Sequence, residues 1–249
     1  MGLKSFARWA LPKRLQEHLR ALYLTRKVIS GKYVEPEMAM LNSLVHAGQF
    51  VLDIGANVGY YTIRLSELVG PSGHVHSFEP ITENFRILER AVKGKRLENV
   101  TTILAAVGRA PGEWDMVIPD KSDFTGFYQA RLASEEDPGR KQRVKVLSLD
   151  QLRANGILSA VDFIKCDAEG SELDILKGGI QLLTKDLPLL LIEVQSKNGD
   201  EVFKLLHSLG YGSFVLKNGL SEINQFDPQI WNYFFLPPKG APLRDTART

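Results

Sequence analysis

The sequence predicts an α/β protein whose central sheet is doubly wound and mostly parallel. From Val34 onward, short apolar segments of strand length alternate with amphipathic segments of helix length. Residues 188–194 are mostly Leu and Ile, which is expected where helices cover both faces of a parallel sheet. A chain of 249 residues with 44% hydrophobic content is long enough to bury one substantial core.

Each element is predicted from the spacing of its apolar residues. Strands are short apolar runs bounded by turn residues, whereas helices carry apolar residues three or four positions apart. In chain order the seven strands are residues 49–54, 74–78, 100–107, 161–167, 188–194, 212–216 and 231–236. The main helices between them are residues 58–69, 82–93, 171–183 and 201–209.

A basic segment precedes this alternation. Residues 1–33 contain eight Lys or Arg residues against Glu17 alone, a charge of +7 in a chain whose net charge is +2. Apolar residues recur at helical spacing from Leu3 to Leu22, and Pro12 is a typical start for a second helix. Such a stripe most often docks on its own domain or on a second copy, with a membrane surface or nucleic acid as alternatives.

The chain is therefore divided into a basic helical arm (1–33), one α/β domain (34–237) and a flexible tail (238–249). Cys166 is the single cysteine, which excludes an internal disulfide and a structural zinc site built on thiolates. We read neither a secretory signal nor a membrane-spanning segment, so we expect a cytoplasmic protein.

The stretch VLDIGANVGYYT, residues 51–62, follows the pattern of a strand, a tight turn and a helix. Asp53 ends the strand, Gly55 permits the bend, and Gly59 lets the helix approach closely. A dinucleotide-binding turn has the pattern G-x-G-x-x-G, so that bare backbone can approach a pyrophosphate. Here Asn57 replaces the second glycine and Asp53 adds negative charge, so we expect a cationic ligand without phosphates.

Glu79 ends the second strand, where an acidic side chain can accept hydrogen bonds from both hydroxyls of a ribose. A nucleoside joined to a cationic amino-acid tail describes S-adenosylmethionine. The alternative is that the glycines only shape a strand-to-helix turn, and Glu79 makes that alternative weaker.

These segments resemble the FkbM-type methyltransferases, which are S-adenosylmethionine-dependent and mostly O-methylating. The resemblance spans roughly residues 34–237 and implies a Rossmann-like methyltransferase fold with seven strands, the last one antiparallel. It implies that Asp53, Gly55, Ala56, Asn57 and Gly59 cradle the methionine end, that Glu79 and Pro80 lie at the ribose, and that Ala105 and Ala106 lie at the adenine. It is carried by DIGANVGYYT (53–62), FEP (78–80), NVTTILAAVG (99–108), VDFIKCDAEGSELDILKG (161–178) and LIEV (191–194).

Methyl transfer to a hydroxyl requires alignment of the reacting atoms and a base within reach of the hydroxyl proton. Asp167, Glu169 and Glu193 end neighbouring central strands, and Lys165 lies within one of them. These four residues form the predicted catalytic set, with Asp167 also near the cofactor. Because an unpaired charge in an apolar strand is costly, we expect Lys165 to pair with a carboxylate.

Each of these carboxylates also has a purely structural explanation. Ser171 and Asp174 fit a capping box, and Asp167 or Glu169 could favour the positive end of the following helix. Carboxylates this close could hold magnesium, but the spacing matches no dedicated metal loop, so no metal is predicted. None of the five histidines is placed like a metal ligand or a general base.

Two further segments are candidates for binding roles. The resemblance implies that Glu35 borders the cofactor pocket, although a helix starting at Pro36 explains it equally well. The segment 109–143 is longer than an ordinary connection. Residues 114–118 fit a peripheral hairpin, and we expect residues 122–128 to roof the active site.

The predicted function is S-adenosylmethionine-dependent transfer of a methyl group to a hydroxyl of a small molecule, such as a sugar or secondary metabolite. The alternatives are a dinucleotide-dependent oxidoreductase, a non-catalytic scaffold held at a membrane by the basic arm, and an RNA methyltransferase. The arm has few aromatic residues among its positive charges, which disfavours a nucleic-acid partner. A homodimer and a peripheral membrane contact through residues 1–33 stay open.

Overall fold

The structure is a computed structural model that describes residues 12–32, 35–118, 131–132, 139–195 and 197–238. The helices are α1 (Lys13–Ile29), α2 (Pro36–Leu44), α3 (Tyr60–Val69), α4 (Thr82–Lys95), α5 (Leu149–Ala154), α6 (Glu172–Lys177), α7 (Ile180–Asp186) and α8 (Gly199–Ser208). The strands are β1 (Phe50–Ile54), β2 (His74–Phe78), β3 (Val100–Ile103), β4 (Ala106–Val107), β5 (Gly112–Ile118), β6 (Arg131–Leu132), β7 (Arg140–Leu147), β8 (Phe163–Cys166), β9 (Leu189–Glu193), β10 (Gly212–Leu216), β11 (Leu220–Glu222) and β12 (Asn232–Leu236).

The main sheet has the order β11-β10-β12-β9-β8-β1-β2-β3. The central strand β1 is parallel to both of its neighbours, and Asp53 lies in register with Ser77 on one side and Lys165 on the other. The chain winds outward from β1 through β2 to β3, and later in the opposite direction from β8 to β9. The predicted doubly wound α/β class is confirmed, and the change of winding direction lies at the carboxyl end of β1.

The main sheet has eight strands rather than the predicted seven. Strand β12 is antiparallel to both β9 and β10, as the family resemblance implied. The additional strand, β11, pairs antiparallel with β10 at the edge of the sheet. It was missed because it is only three residues long and follows a tight turn at Gly219, whose φ is +129°.

Both faces of the sheet are buried, because successive side chains of a strand point to opposite sides. Val51 belongs to the cluster under α2 and α3, which also contains Met38, Leu41 and Leu65. Leu52 belongs to the larger cluster on the other face, under the helices from α5 to α8. This two-sided burial explains why the central strands are continuous apolar runs.

Two predicted elements are wrong in their extent. The strand predicted at residues 100–107 divides at Leu104: β3 stays in the main sheet, and β4 pairs with β7 in a second sheet of order β4-β7-β5-β6. The helix predicted at residues 171–183 divides into α6 and α7 at Gly178. A Cβ atom there would lie 2.2 Å from the carbonyl oxygen of Gly108, so the chain packs too closely for another residue.

The long segment after β4 contains the second sheet. Strand β5 pairs antiparallel with both β7 and β6. Residues 114–118, where a peripheral hairpin was expected, therefore form one strand of this sheet rather than a hairpin of their own. The predicted roof, residues 122–128, lies outside the described residues.

Helix α1 packs against its own domain. Leu24 and Val28 are buried in a cluster with Val58, Ile63 and Ile87, which lie at the start of α3 and on α4. Pro12 is the residue before the first turn of this helix, as predicted. The boundaries at residues 33 and 237 stay predictions.

Candidate functional site

The turn between β1 and α3 is bent sharply around Gly55. The φ angles of Gly55, Asn57 and Gly59 are +76°, +51° and +102°. A Cβ atom on Gly55 would lie 1.7 Å from the carbonyl oxygen of Asp167, so the ends of β1 and β8 can approach only because this residue has no side chain. The amide groups of Gly55 and Ala56 both donate to the carbonyl oxygen of Phe78, at 3.0 and 2.9 Å.

Glu79 holds this turn from the end of β2. One of its carboxylate oxygens accepts the Asn57 N–H and the other accepts the Ile81 N–H, both at 2.8 Å. Glu79 is only 4% exposed. Burial raises its pKa to about 7, although the hydrogen bonds from Ile81, Asn57 and Asn84 favour the charged form. Glu79 therefore holds the turn between β1 and α3 in place through its hydrogen bonds to the backbone.

Asp53 is buried at the end of β1 and bonded to α3. The Thr62 hydroxyl lies 2.6 Å from its Oδ2 and donates to it, and the Thr62 oxygen lies 3.0 Å from the Ser77 oxygen. Burial raises the pKa of Asp53 to about 6, and the bond from Thr62 and the charge of Lys165 oppose this shift. A cation at this position would lower the cost of ionising Asp53.

Lys165 is buried in β8, and it pairs with a carboxylate as predicted. Its Nζ lies 3.5 Å from Oδ2 of Asp167 and 4.9 Å from the centre of the Tyr61 ring. Burial alone lowers the pKa of Lys165, but the charges of Asp167, Asp53 and Glu193 outweigh burial and raise it. Lys165 thus stays positively charged among these carboxylates.

The loop after β8 contains the other candidate carboxylates. Glu169 has a φ of +48°, and its Oε2 accepts a hydrogen bond of 2.8 Å from Gln195. Burial and the charge of Asp167 raise the pKa of Glu169 to about 7. The same causes raise the pKa of Glu193, at the end of β9, to about 8. Burial thus raises the pKa values of Glu169 and Glu193, as it does those of Asp53 and Glu79, toward or beyond neutral pH.

The predicted capping box at the start of α6 is wrong. Ser171 makes no side-chain capping bond, and Asp174 instead pairs with Arg109 at 2.8 Å. The residue that holds this loop is Glu172, whose Oε1 accepts the N–H groups of Ala168 and Gly170 at 3.1 and 3.0 Å. Sequence reasoning missed Glu172, although it lies inside the quoted segment KCDAEGSE.

A cavity of about 390 Å³ opens at the carboxyl ends of β1 and β8. Glu35, at the start of α2, reaches it and accepts a 2.7 Å hydrogen bond from the Tyr61 hydroxyl. Thr62 and Tyr61 were not among the predicted site residues. The cavity is lined by Lys27, Glu35, Asp53, Gly55, Ala56, Asn57, Tyr60, Tyr61, Lys165, Asp167 and Glu169.

Six of the predicted site residues do not line this cavity: Gly59, Glu79, Pro80, Ala105, Ala106 and Glu193. Ala105 and Ala106 line a second cavity of about 30 Å³ on the other side of Gly55, beside Trp114 and Met116. The carbonyl oxygen of Pro80 accepts a 2.8 Å hydrogen bond from Gln142 of β7. Gly55 lines both cavities. It therefore lies between the residues predicted at the methionine end of the cofactor and those predicted at its adenine.

Within the described ranges, no group of three His, Cys, Asp or Glu side chains is arranged to hold a metal ion. His74 and His76 are the first and third residues of β2, and their ring centres lie 4.7 Å apart. Neither is at the carboxyl end of the strand. Burial lowers the pKa of His76 to about 4.

Comparison with known proteins finds methyltransferases. A protein-L-isoaspartate O-methyltransferase from Methanothrix thermoacetophila is 44% identical over 78 residues, which cover 31% of this chain and 37% of the relative. The chain thus spans less than half of the length of that relative. The 31-O-demethyl-FK506 methyltransferase FkbM from Streptomyces tacrolimicus is 24% identical over 190 residues, 66% of this chain and 73% of the relative.

Among solved structures, the methyltransferase FkbM from Methylobacillus flagellatus KT aligns with a TM-score of 0.49 and 14% identity, covering 87% of this chain and 59% of that one. The family model of the methyltransferase FkbM domain matches residues 53–212, from the buried Asp53 to the start of β10. This match covers more than half of the chain and includes the turn, Glu79 and the loop after β8. The chain therefore belongs to the FkbM methyltransferase family.

Proposed function

We propose that this methyltransferase, whose cofactor is S-adenosylmethionine, moves a methyl group to a hydroxyl oxygen of a small, uncharged molecule. The observation that carries the proposal is the cavity at the ends of β1 and β8. It joins the Gly55 turn to carboxyl groups that titrate near neutral pH and to the buried cation of Lys165.

The residues of the turn fit the cofactor. The close approach at Gly55 leaves backbone rather than a side chain at the bend, and the carboxylate of Asp53, which lines the same cavity, suits a positively charged ligand. When bound, the cofactor supplies a methyl group on a positively charged sulfur. We assign Asp53 and Asn57 to its amino-acid end, Glu79 and Pro80 to the ribose, and Ala105 and Ala106 to the adenine.

Glu79 can hold a ribose while it holds the loop. The two carboxylate oxygens together have four lone-pair positions, and the N–H groups of Asn57 and Ile81 and the side chain of Asn84 occupy three of them. The fourth position can accept a ribose hydroxyl, with the bonds to the chain keeping the carboxylate in a fixed orientation.

We assign the general base to Glu169. It lines the cavity, its Oε2 is oriented by Gln195, and its pKa of about 7 lies near the working pH, where a base is most effective. Asp167 is paired with Lys165, which suits the pair to orienting the acceptor hydroxyl. Glu193, at the end of β9, interacts electrostatically with both members of this pair, and its contribution is to the charge balance of the site.

The charge of the walls favours a hydroxyl over a carboxylate acceptor. Four carboxyl groups line the cavity, against the cations of Lys27 and Lys165. An anionic acceptor would be repelled by the excess of carboxylates, whereas a neutral hydroxyl needs the base that they provide. The FK506 relative and the isoaspartate relative both carry names that describe methylation of oxygen, which supports an oxygen acceptor here.

The test is a screen of hydroxylated sugars, polyketides and phenols for production of S-adenosylhomocysteine, with carboxylated compounds and RNA as comparison sets. Once an acceptor is found, Glu169→Gln should lower kcat by roughly 10²-fold or more with little change in cofactor affinity. Asp53→Ala should abolish cofactor binding measured by calorimetry.

Glu201→Gln, at an exposed position in the first turn of α8, is the matched control and should behave as wild type. Turnover confined to carboxylated compounds or to RNA would overturn the choice of acceptor. A full rate in Glu169→Gln would remove Glu169 from the chemistry and leave the methyltransferase assignment intact.

A further inference from the structure

Helix α1 has an exposed apolar face that its packing on the domain does not use. Leu24 and Val28 point inward and are buried. Leu15, Leu19 and Leu22 recur at intervals of four and three residues on another side of the helix, and all three are exposed. Tyr23 beside them is 65% exposed. An apolar stripe of this kind in water indicates a binding surface.

The same helix is strongly basic. Residues 12–32 contain six Lys or Arg residues and one acidic residue, Glu17. Arg26 is exposed, and at 100° per residue it falls within the outward face, between Leu15 and Leu19 around the helix. The outward face therefore combines large apolar side chains with the positive charge of Arg26.

This combination selects one kind of partner. A second copy of α1 would bring the five basic residues of each helix close together, which is electrostatically unfavourable. RNA would satisfy the charges but would leave the leucines without apolar contacts, because single-stranded nucleic acid binds by stacking on aromatic side chains. An anionic lipid surface satisfies both, since acyl chains receive the leucines and headgroups receive the basic residues.

We infer that the outward face of α1 binds the surface of membranes that contain anionic lipids. The helix lies in the plane of the interface and does not cross it: in the part of the chain that the structure describes, no helix is long and apolar enough to span a bilayer. Lys27 lies on the same helix and lines the cavity, so binding brings the active site next to the lipid surface.

The test is sedimentation of the full chain with vesicles of phosphatidylcholine alone and of phosphatidylcholine mixed with phosphatidylglycerol. The protein should sediment with the anionic vesicles and stay in solution with the neutral ones, and raised salt should release it. No acceptor or cofactor is needed, so the result is independent of the proposed chemistry.

Two pairs of variants separate this helix from the rest of the surface. Leu19→Ser should weaken vesicle binding about fivefold, whereas Ile157→Ser should not, although the two side chains are 48% and 49% exposed. Arg26→Gln should also weaken binding about fivefold, whereas Lys217→Gln, at another exposed position, should not. Cofactor affinity should be unchanged in all four proteins.

Failure to bind anionic vesicles would overturn the inference, as would binding that neither Leu19→Ser nor Arg26→Gln weakens. A dimer that Leu19→Ser dissociates in sedimentation equilibrium, or RNA binding that Arg26→Gln abolishes, would replace the lipid by those partners. If circular dichroism shows that Leu19→Ser does not fold, the comparison of vesicle binding by Arg26→Gln and by Lys217→Gln still tests the inference.

Discussion

Gly55 lets the carboxyl ends of β1 and β8 approach each other closely because it lacks a side chain. Its φ of +76° is unfavourable for other residues, and its absent Cβ leaves room for the carbonyl oxygen of Asp167. Gly55→Ala should therefore lower the free energy of unfolding by roughly 3 kcal/mol or more, from backbone strain and overpacking combined. Denaturant unfolding measures this loss.

Gly156→Ala is the matched control for this prediction. Gly156 has a similar φ of +70°, but nothing lies within 4 Å of the position of its Cβ. It should lose only the backbone term, about 1 to 2 kcal/mol. Equal losses in the two variants would show that the close approach to Asp167 contributes nothing.

Glu79 connects cofactor binding to the stability of the turn. In Glu79→Ala the N–H groups of Asn57 and Ile81 lose their acceptors, so the free energy of unfolding should fall along with cofactor affinity, each by about 1 to 3 kcal/mol. Calorimetry with S-adenosylmethionine and denaturant unfolding measure the two quantities. Glu98→Ala, at an exposed position, should change neither. If Glu79→Ala loses affinity for S-adenosylmethionine but keeps the free energy of unfolding of the wild type, Glu79 does not hold the turn.

At the scale of elements, the loop from β8 to α6 carries Asp167 and Glu169 and is held by Glu172. The side chain of Glu172 is buried, and its Oε1 accepts two backbone N–H groups. Burial raises its pKa, so its uncharged form is favoured relative to a Glu in water. The position of Glu169, the candidate base, therefore depends on Glu172, which does not line the cavity.

Glu172→Ala should destabilise the chain by about 1 to 3 kcal/mol, because the N–H groups of Ala168 and Gly170 are left without an acceptor. Glu172→Gln keeps one carbonyl oxygen of the same shape and should stay close to wild type. Denaturant unfolding of both variants, with kcat measured for each, tests whether Glu172→Ala is less stable than Glu172→Gln. Equal stability of the two variants would exclude the bonds to Ala168 and Gly170 as the cause.

The elements that the sequence predicts well are those whose pattern is local. The strands 49–54 and 74–78 and the helix at 82–93 follow from unbroken periodicity. The division at Leu104 and the break at Gly178 depend on contacts distant in sequence, with β7 and with the backbone of Gly108. Such packing leaves no periodic signal in the chain.

At the scale of the whole molecule, the topology explains why the candidate site was largely predictable. Parallel strands bring their carboxyl ends to one edge, so Asp53, Asp167 and Glu169 meet there although they are far apart in sequence. Tyr61 and Glu35 were harder to predict, because their contact depends on how α2 packs beside α3. The segment expected to roof the cavity lies outside the described residues and stays a prediction.

The concentration of buried carboxyl groups at this edge gives the whole molecule a characteristic pH dependence. The pKa of Asp53 is raised from 3.8 to about 6, and that of Glu79 from 4.5 to about 7. A raised carboxyl pKa means that the folded chain binds more protons than the unfolded one between the two values, so stability falls as pH rises through this interval. These two groups should lower the free energy of unfolding between pH 4 and pH 7.

Asp53→Asn isolates one part of this effect, because an amide oxygen can still accept the hydrogen bond from Thr62. Between pH 5 and pH 7.5, the wild-type chain without cofactor should lose about 1 kcal/mol more than Asp53→Asn, measured by denaturant unfolding. Asp200→Asn, at an exposed position in α8, should follow the wild-type curve. Parallel curves for wild type and Asp53→Asn would mean that burial does not penalise the charge of Asp53. Asp53 would then be ionised at neutral pH whether or not a cationic ligand lies beside it.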